Sequence, residues 1–281
     1  MIPAGTNLGA IRVELPGAPV IGQVAEGGQH VHLGKLDGWD DPAPSAGTVT
    51  QKVNDHGAFL GEAFYGPRVV QAEARIDGWT PGDSMAIARS IFSALSLNEL
   101  VPLTVTNELG TLTADVRQEA DPLLSRQGNR VVVSLSMLAP DPRRYGPSAV
   151  ASTGLPVSSG GFVLPVVLPV STGGINSAGA LNLYNDGDVD SLPVFTVYGP
   201  CSPFTITDDT GRQLAYGESL AAGRTLVIDT ATRTALLDGI ANRVVTGSWP
   251  VLRPGMNTIR FNATTYDAGA QLSVSYRSAW R

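Results

Sequence analysis

The sequence predicts a mainly β protein with one principal helix: an α+β N-terminal domain followed by an all-β C-terminal domain. Three observations carry this. Glycine and proline are abundant, 32 and 20 of 281 residues, while charged residues make up only 16%, a balance that suits strands joined by many turns. Apolar residues alternate with polar ones at period two along most of the chain. A single segment, around residues 80–98, switches to helical spacing. Chains of this size tend to split into two cores, and 43% hydrophobic residues suffice to fill them.

In chain order, Ala10–Leu15 (AIRVEL) is the first predicted strand, followed by HVHLGKL and GTVTQKV. Arg68–Trp79 reads as a long strand with Val70, Ala72, Ala74 and Ile76 on one face. Thr80 then offers an N-cap, Pro81 the first helical position, and Asp83 stands three residues after the cap. Ala88, Ile91, Phe92 and Leu95 follow at i, i+3, i+4 and i+7, so a helix is expected over about 81–97, with Ser90 on its outer side. Strands resume with VPLTVTN, GTLTADVRQ and NRVVVSLSMLAP, the last placing Val131, Val133, Leu135 and Met137 on one face. Pro140 and Pro142 lack the N–H a ladder needs, so that strand ends there.

The N-terminal domain is therefore expected over 1–140 and a hinge and linker over 141–161, where SAVASTGLPVSSGG is poor in large apolar residues and in charge. A C-terminal β-sandwich is expected over 162–281, with strands about ten residues apart from near Phe162 onward. Asp238-Gly239 and Thr210-Gly211 are tight-turn candidates.

Composition argues against several functions. The formal net charge is −6 and no basic run exceeds two residues, which disfavours tight binding of nucleic acid through its phosphates. One cysteine, Cys201, permits no intrachain disulfide and no Cys-based zinc site, as suits a reducing cytoplasm. The first residues lack the basic and apolar regions of a secretory signal, and no apolar run reaches the roughly 20 residues of a membrane-spanning helix.

The remaining chemical motifs have plainer readings. His30 and His32 share a strand face, but zinc needs a third protein ligand and His56 is the only other histidine. GQHVHLGKL fails as a phosphate-binding loop: five residues stand between Gly28 and Gly34 in place of four, and Leu36 stands where a hydroxyl is required. Asn185–Asp190 (NDGDVD) resembles part of a calcium loop without its later glutamate, and is also turn chemistry. The pairs Asp40-Asp41 and Asp208-Asp209 diverge on a strand and do not suit glycosidase chemistry. No catalytic residue, cofactor site or metal site is expected.

Arg143 and Arg144 admit two readings, an anion site or the anchor of an interdomain turn with Tyr145 packing beside them. The flanking prolines and the polar tract beyond favour the anchor.

Taken in order, the strand-rich region, helix, further strands, LAPDPRRYG and a β domain resemble the distal tail proteins of long-tailed bacteriophages. NDGDVDSLPVFTVYGPCSPFTITDDTGRQLAYG, SWPVLRPGMNTIRF and VSYRSAW follow the order of that family's C-terminal half, so the resemblance spans about Leu8 to Trp280. It implies a non-enzymatic structural protein without cofactors: a hexameric ring of N-terminal domains with galectin-like C-terminal domains outside. The implied partners are further copies of the chain, the tail tube protein and the tail-tip or baseplate hub proteins. The implied place is the virion tail tip, assembled in the host cytoplasm, with no membrane partner. DNA would pass through the channel without specific binding, and the acidic balance leads us to expect a neutral or acidic channel wall. Asp141, Pro142, Arg143, Arg144 and Tyr145 become the expected interdomain joint. Trp249, Pro254, Gly255 and Asn257 become a structural turn of the C-terminal domain, with Pro254-Gly255 as the tight turn, Asn257 bonding nearby backbone, and Trp249 and Trp280 covering the sandwich. The alternative is a carbohydrate-binding tail accessory protein contacting the host surface, whose aromatics would stack on sugars; aromatic residues are only 6%.

Overall fold

The computed structural model describes residues 3–156, 179–265 and 267–281. The chain divides into two compact units, Met1–Gly146 together with Arg281, and Pro147–Trp280. The β segment expected to begin near Phe162 lies outside the described residues.

In the first unit the strands are β1 (Arg12–Glu14), β2 (Gln23–Val24), β3 (His30–Asp37), β4 (Ser45–Gln51), β5 (Ala58–Tyr65), β6 (Arg68–Asp77), β7 (Val101–Asn107), β8 (Gly110–Gln127) and β9 (Arg130–Ala139), with the helix α1 (Pro81–Ser93) between β6 and β7. Strand β10 (Arg144–Gly154) follows. The ladder order β2-β3-β6-β9-β8 forms one layer. The proximal half of β8 leaves it to pair with β7, which pairs in turn with β1. Val70, Ala72, Ala74 and Ile76 of β6 and Val131, Val133, Leu135 and Met137 of β9 are buried together with Ile87, Ala88 and Ile91 of α1, as period-two and helical spacing require when one face of each element meets a shared core.

α1 begins as expected. Thr80 Oγ1 accepts from the Asp83 N–H at 3.2 Å, and the Asp83 carboxylate accepts from the Thr80 N–H at 3.0 Å, a reciprocal capping box. It ends at Ser93, earlier than the expected 97. Ser96 accounts for the difference: its hydroxyl accepts from the N–H groups of Asn98 and Glu99, and this local turn competes with another helical turn. Ser90, expected on the outer side, is half-buried, and its hydroxyl donates to the Ile87 carbonyl at 2.7 Å. Ile91 is fully buried and Ser93 exposed, so they make the cleaner pair of probes. Ile91→Asp is expected to lower stability by about 4 kcal/mol or more through an unpaired buried charge, and Ser93→Asp by well under ~1 kcal/mol. Urea denaturation checks this, and equal midpoints for the two variants would contradict the assigned face.

Two further elements differ from expectation. β8 runs on through Glu119–Gln127, although Pro122 cannot donate to a ladder; register shifts at Gln118/Ala120 and Ala120/Leu123 absorb the interruption. Residues 144–154, expected to be hinge and linker, are strand β10, which takes up extended pairing at Tyr145 opposite Thr113.

The second unit is a two-sheet sandwich. Its strands are β11 (Ala180–Asn185), β12 (Val194–Tyr198), β13 (Phe204–Thr207), β14 (Gln213–Tyr216), β15 (Thr225–Asp229), β16 (Thr234–Leu237), β17 (Ala241–Asn242), β18 (Thr246–Gly247), β19 (Gly255–Ala263) and β20 (Gln271–Trp280). One sheet has the order β11-β19-β13-β14-β18, and β17-β16-β15-β12-β20 are neighbours in the other. Phe195, Val197, Leu226, Ile228, Phe204, Ile206, Ile259, Phe261, Leu272 and Val274 interdigitate between them. Asp238 and Gly239, with φ of 50° and 72°, close the β16–β17 hairpin in the left-handed backbone that a tight turn demands.

Candidate assembly surface

The most unusual surface of the first unit is a hairpin of which sequence periodicity marked only the first strand, at GTVTQKV. β4 and β5 form a two-stranded sheet of their own, and every residue of β5 (AFLGEAFY) is exposed. Val49 stands opposite Leu60, and Thr50 opposite Phe59, so successive pairs put apolar side chains on both faces of the ribbon. Phe59, Leu60 and Phe64 are 66%, 81% and 67% exposed, and Val53 near the tip is 94% exposed. Within the two strands Glu62 is the only charged residue. A two-stranded ribbon is marginal in water by itself, and exposed strand edges are ordinarily blunted by lysine, proline or charge. Glu62 apart, the two strands carry none of these protections. Its turn holds the exceptions: Lys52 pairs with Asp55 at 3.7 Å and lies 5.5 Å from the Phe59 ring centre.

The arm's root is firmly built. Gly38 has φ of 73°, and a Cβ there would lie 2.0 Å from the Val69 carbonyl oxygen, so only glycine fits. Trp39 beside it is 1% exposed. Where the chain leaves the arm, the Gly66 N–H donates to the Pro44 carbonyl at 2.7 Å. Arg68 follows, also only 1% exposed. Burial pushes its guanidinium below the usual arginine range, the nearby Arg144 adds to this, and Asp40 and Asp41 oppose it.

The residues singled out as an interdomain joint lie at this root. Asp141 Oδ1 accepts from the Arg143 N–H at 3.0 Å, and Asp141 Oδ2 from the Tyr145 hydroxyl at 2.6 Å. The Pro142 carbonyl accepts from Arg68 Nε at 3.1 Å. Arg143 turns to Asp141, whereas Arg144 pairs with Asp40 at 3.1 Å and lies 5.8 Å from the Trp39 ring centre. The two arginines therefore have separate protein partners and do not converge as one anion fork. Sequence reading did not connect Arg68, Trp39 or Asp40 with this turn, because they stand about 75–105 positions before it, and it weighed Asp40 only as half of the Asp40-Asp41 pair.

In the second unit, Asn257 is 1% exposed. Its Nδ2 donates to the carbonyls of Arg253 and Gly255 at 2.7 and 2.8 Å, and its Oδ1 accepts from the Arg253 N–H at 2.8 Å. Gly255 has φ of 91°, next to Pro254. Trp249 and Trp280 are half-buried, and Trp249 packs against the sandwich core. Asn185, read only as part of an acidic turn, is the better-connected residue. Its Nδ2 donates to Val189 O and Leu252 O, and its Oδ1 accepts from Gly187 N and Ala279 N.

The other polar residues considered in the sequence are dispersed. His30 and His32 meet edge to face, 5.8 Å between ring centres. His32 faces Asp77 at 3.8 Å, and burial together with Arg75 lowers its pKa. His56 is exposed in the arm's turn. Cys201 is buried, which pushes its thiol up to about 11. Among the described residues no group of three or more His, Cys, Asp or Glu is placed to hold a metal ion, and no helix is long and apolar enough to cross a membrane.

Comparison with known proteins adds the following. Residues 186–280 match the family described as siphovirus-type tail component, C-terminal domain. The fold resembles the crystal structure of the Dit protein of SPP1, a paradigm of the hub adsorption apparatus in phages infecting Gram-positive bacteria. That likeness has a TM-score of 0.66 at 13% identity and covers 97% of this chain and 100% of the other. Chains of the phage p2 baseplate in its activated conformation, with strontium or with calcium, resemble it at a TM-score of 0.50 and 11% identity. The coverage is 94% of this chain and 97% of that chain in the strontium structure, and 98% of each with calcium. At these identities the likeness establishes a shared fold. No curated protein matches the sequence.

Proposed function

We propose, from the match of residues 186–280 to the siphovirus-type tail component C-terminal domain, that the protein is a structural, non-catalytic hub of a long-tailed phage tail. In this reading six copies close a ring through their N-terminal domains, roughly residues 1–140, between the tail tube and the tip or baseplate. The C-terminal domains stand outside the ring, and DNA passes through its channel without being held.

The observation that carries the proposal is the exposed apolar arm, Ser45–Tyr65. A ring uses a heterologous interface, in which one surface of each copy meets a different surface on the next. An arm apolar on both faces, with no cover from its own core, suits such an interface better than it suits a solvated monomer. A strand edge offers a second contact: among the described residues the distal half of β8 pairs only with β9, leaving a ladder that a neighbouring copy can extend. A passage for DNA works best without phosphate contacts, since each lysine or arginine contact adds affinity through counterion release and slows transit.

Electron cryomicroscopy of assembled tails tests this. The expected result is a six-fold ring with a central hole at the junction of tube and tip, lined by a neutral or acidic wall. A dimer, a peripheral decoration or a strongly basic channel would overturn the reading.

A further inference from the structure

Three separate segments meet where the arm leaves the first unit. The chain enters the arm through Gly38–Pro44 and leaves it through Tyr65–Arg68, and the Asp141–Tyr145 turn lies against both. Arg68 Nη1 donates to the carbonyls of Gly38, Trp39 and Asp41 at 2.7, 3.0 and 2.6 Å, while its Nε donates to Pro142 at 3.1 Å. One guanidinium thus ties the outgoing strand to the incoming segment and to the distant turn. Arg144, 9% exposed, adds a second tie through Asp40 on the incoming segment.

We propose that Arg68 and Arg144, held by the Asp141–Tyr145 turn, form a clamp that fixes the direction in which the arm projects. They are positioning residues for assembly, a role distinct from joining two domains. The physical case rests on what burial costs. Arg68 Nη2 and Arg144 Nε are buried without a hydrogen-bond partner, so placing two guanidiniums here is expensive for stability alone. A planar fork reaching several carbonyls at once fixes orientation, which apolar packing at the same place would not do. The arm needs such a device because, among the described residues, its own two strands are hydrogen-bonded to no third strand that could set their angle.

The benefit to assembly rests on the ring reading, whereas the clamp itself can be measured in the unassembled chain. The experiment is a spin-label distance measurement between Val53→Cys at the arm tip and Ser93→Cys at the end of α1, with the buried Cys201 left in place. The parent protein is expected to give one narrow distance distribution. Arg144→Gln should at least double its width with Tm shifted by only a few degrees, since the freed Asp40 is exposed. Arg68→Gln should broaden it further, and if that variant does not fold, Arg144→Gln decides. A folded Arg144→Gln protein with an unchanged distribution overturns the clamp, whatever its rings do. Broadened arms in chains that still close normal rings would uphold the clamp as the device that sets the arm's direction, but overturn its role in assembly.

Discussion

Replacing Phe59, Leu60 and Phe64 together by serine is expected to abolish ring formation while leaving the fold of the chain intact. None of the three belongs to either hydrophobic core, and all are more than half exposed in the isolated chain. Their loss should therefore move Tm by no more than a few degrees, and removing exposed apolar surface should raise solubility. At an interface the same side chains would each bury surface worth about 1.5–3 kcal/mol. Losing three of them costs at least ~4 kcal/mol per contact, roughly a thousand-fold in association constant. Sedimentation of the purified variant, and incorporation into tails in a complementation assay, measure the effect. Normal incorporation of the triple variant would mean that the arm is not the assembly element.

The second large effect is expected at Asn185. Asn185→Ala removes a side chain that satisfies two carbonyls and two N–H groups between β11, the following turn and the ends of two other segments. Each buried group left without a partner costs about 1–3 kcal/mol, so a loss on the order of 4 kcal/mol is expected after partial relaxation. Asn185→Asp should be about as damaging, because a carboxylate accepts from the two N–H groups but repels the two carbonyls. Gly187 in the same turn is constrained independently: a Cβ there would fall 1.7 Å from the Ala279 carbonyl oxygen. Urea denaturation followed by tryptophan fluorescence reports the change, since Trp249 and Trp280 both belong to this domain. An Asn185→Ala midpoint equal to that of the parent would show that the turn holds together without the amide.

The sequence alone determined whatever depends on neighbours close in the chain. Period-two alternation marked the buried faces of β6 and β9, because successive strand side chains must point to opposite sides. Thr80, Pro81 and Asp83 marked the start of α1, because a cap is completed within four residues. Pro140 and Pro142 marked the end of β9. The ordered motifs of the C-terminal half also carried the resemblance to tail components, matched over residues 186–280, since local turn chemistry at Gly255 and Asn257 leaves a readable residue pattern.

What tertiary structure alone decided is what depends on covering and on distant partners. β5 carries no alternation because neither of its faces meets a core, so AFLGEAFY looked like no strand at all. β8 continues past Pro122 because β9 pairs with it on the far side of the interruption and holds it extended. The arginine at 144 carried no sign that its partner is Asp40, and Arg68 no sign that it would be buried, since a charged residue on a strand is ordinarily solvated. Those pairings span some thirty to a hundred residues, and they exist only once the fold has brought the root of the arm against the Asp141–Tyr145 turn.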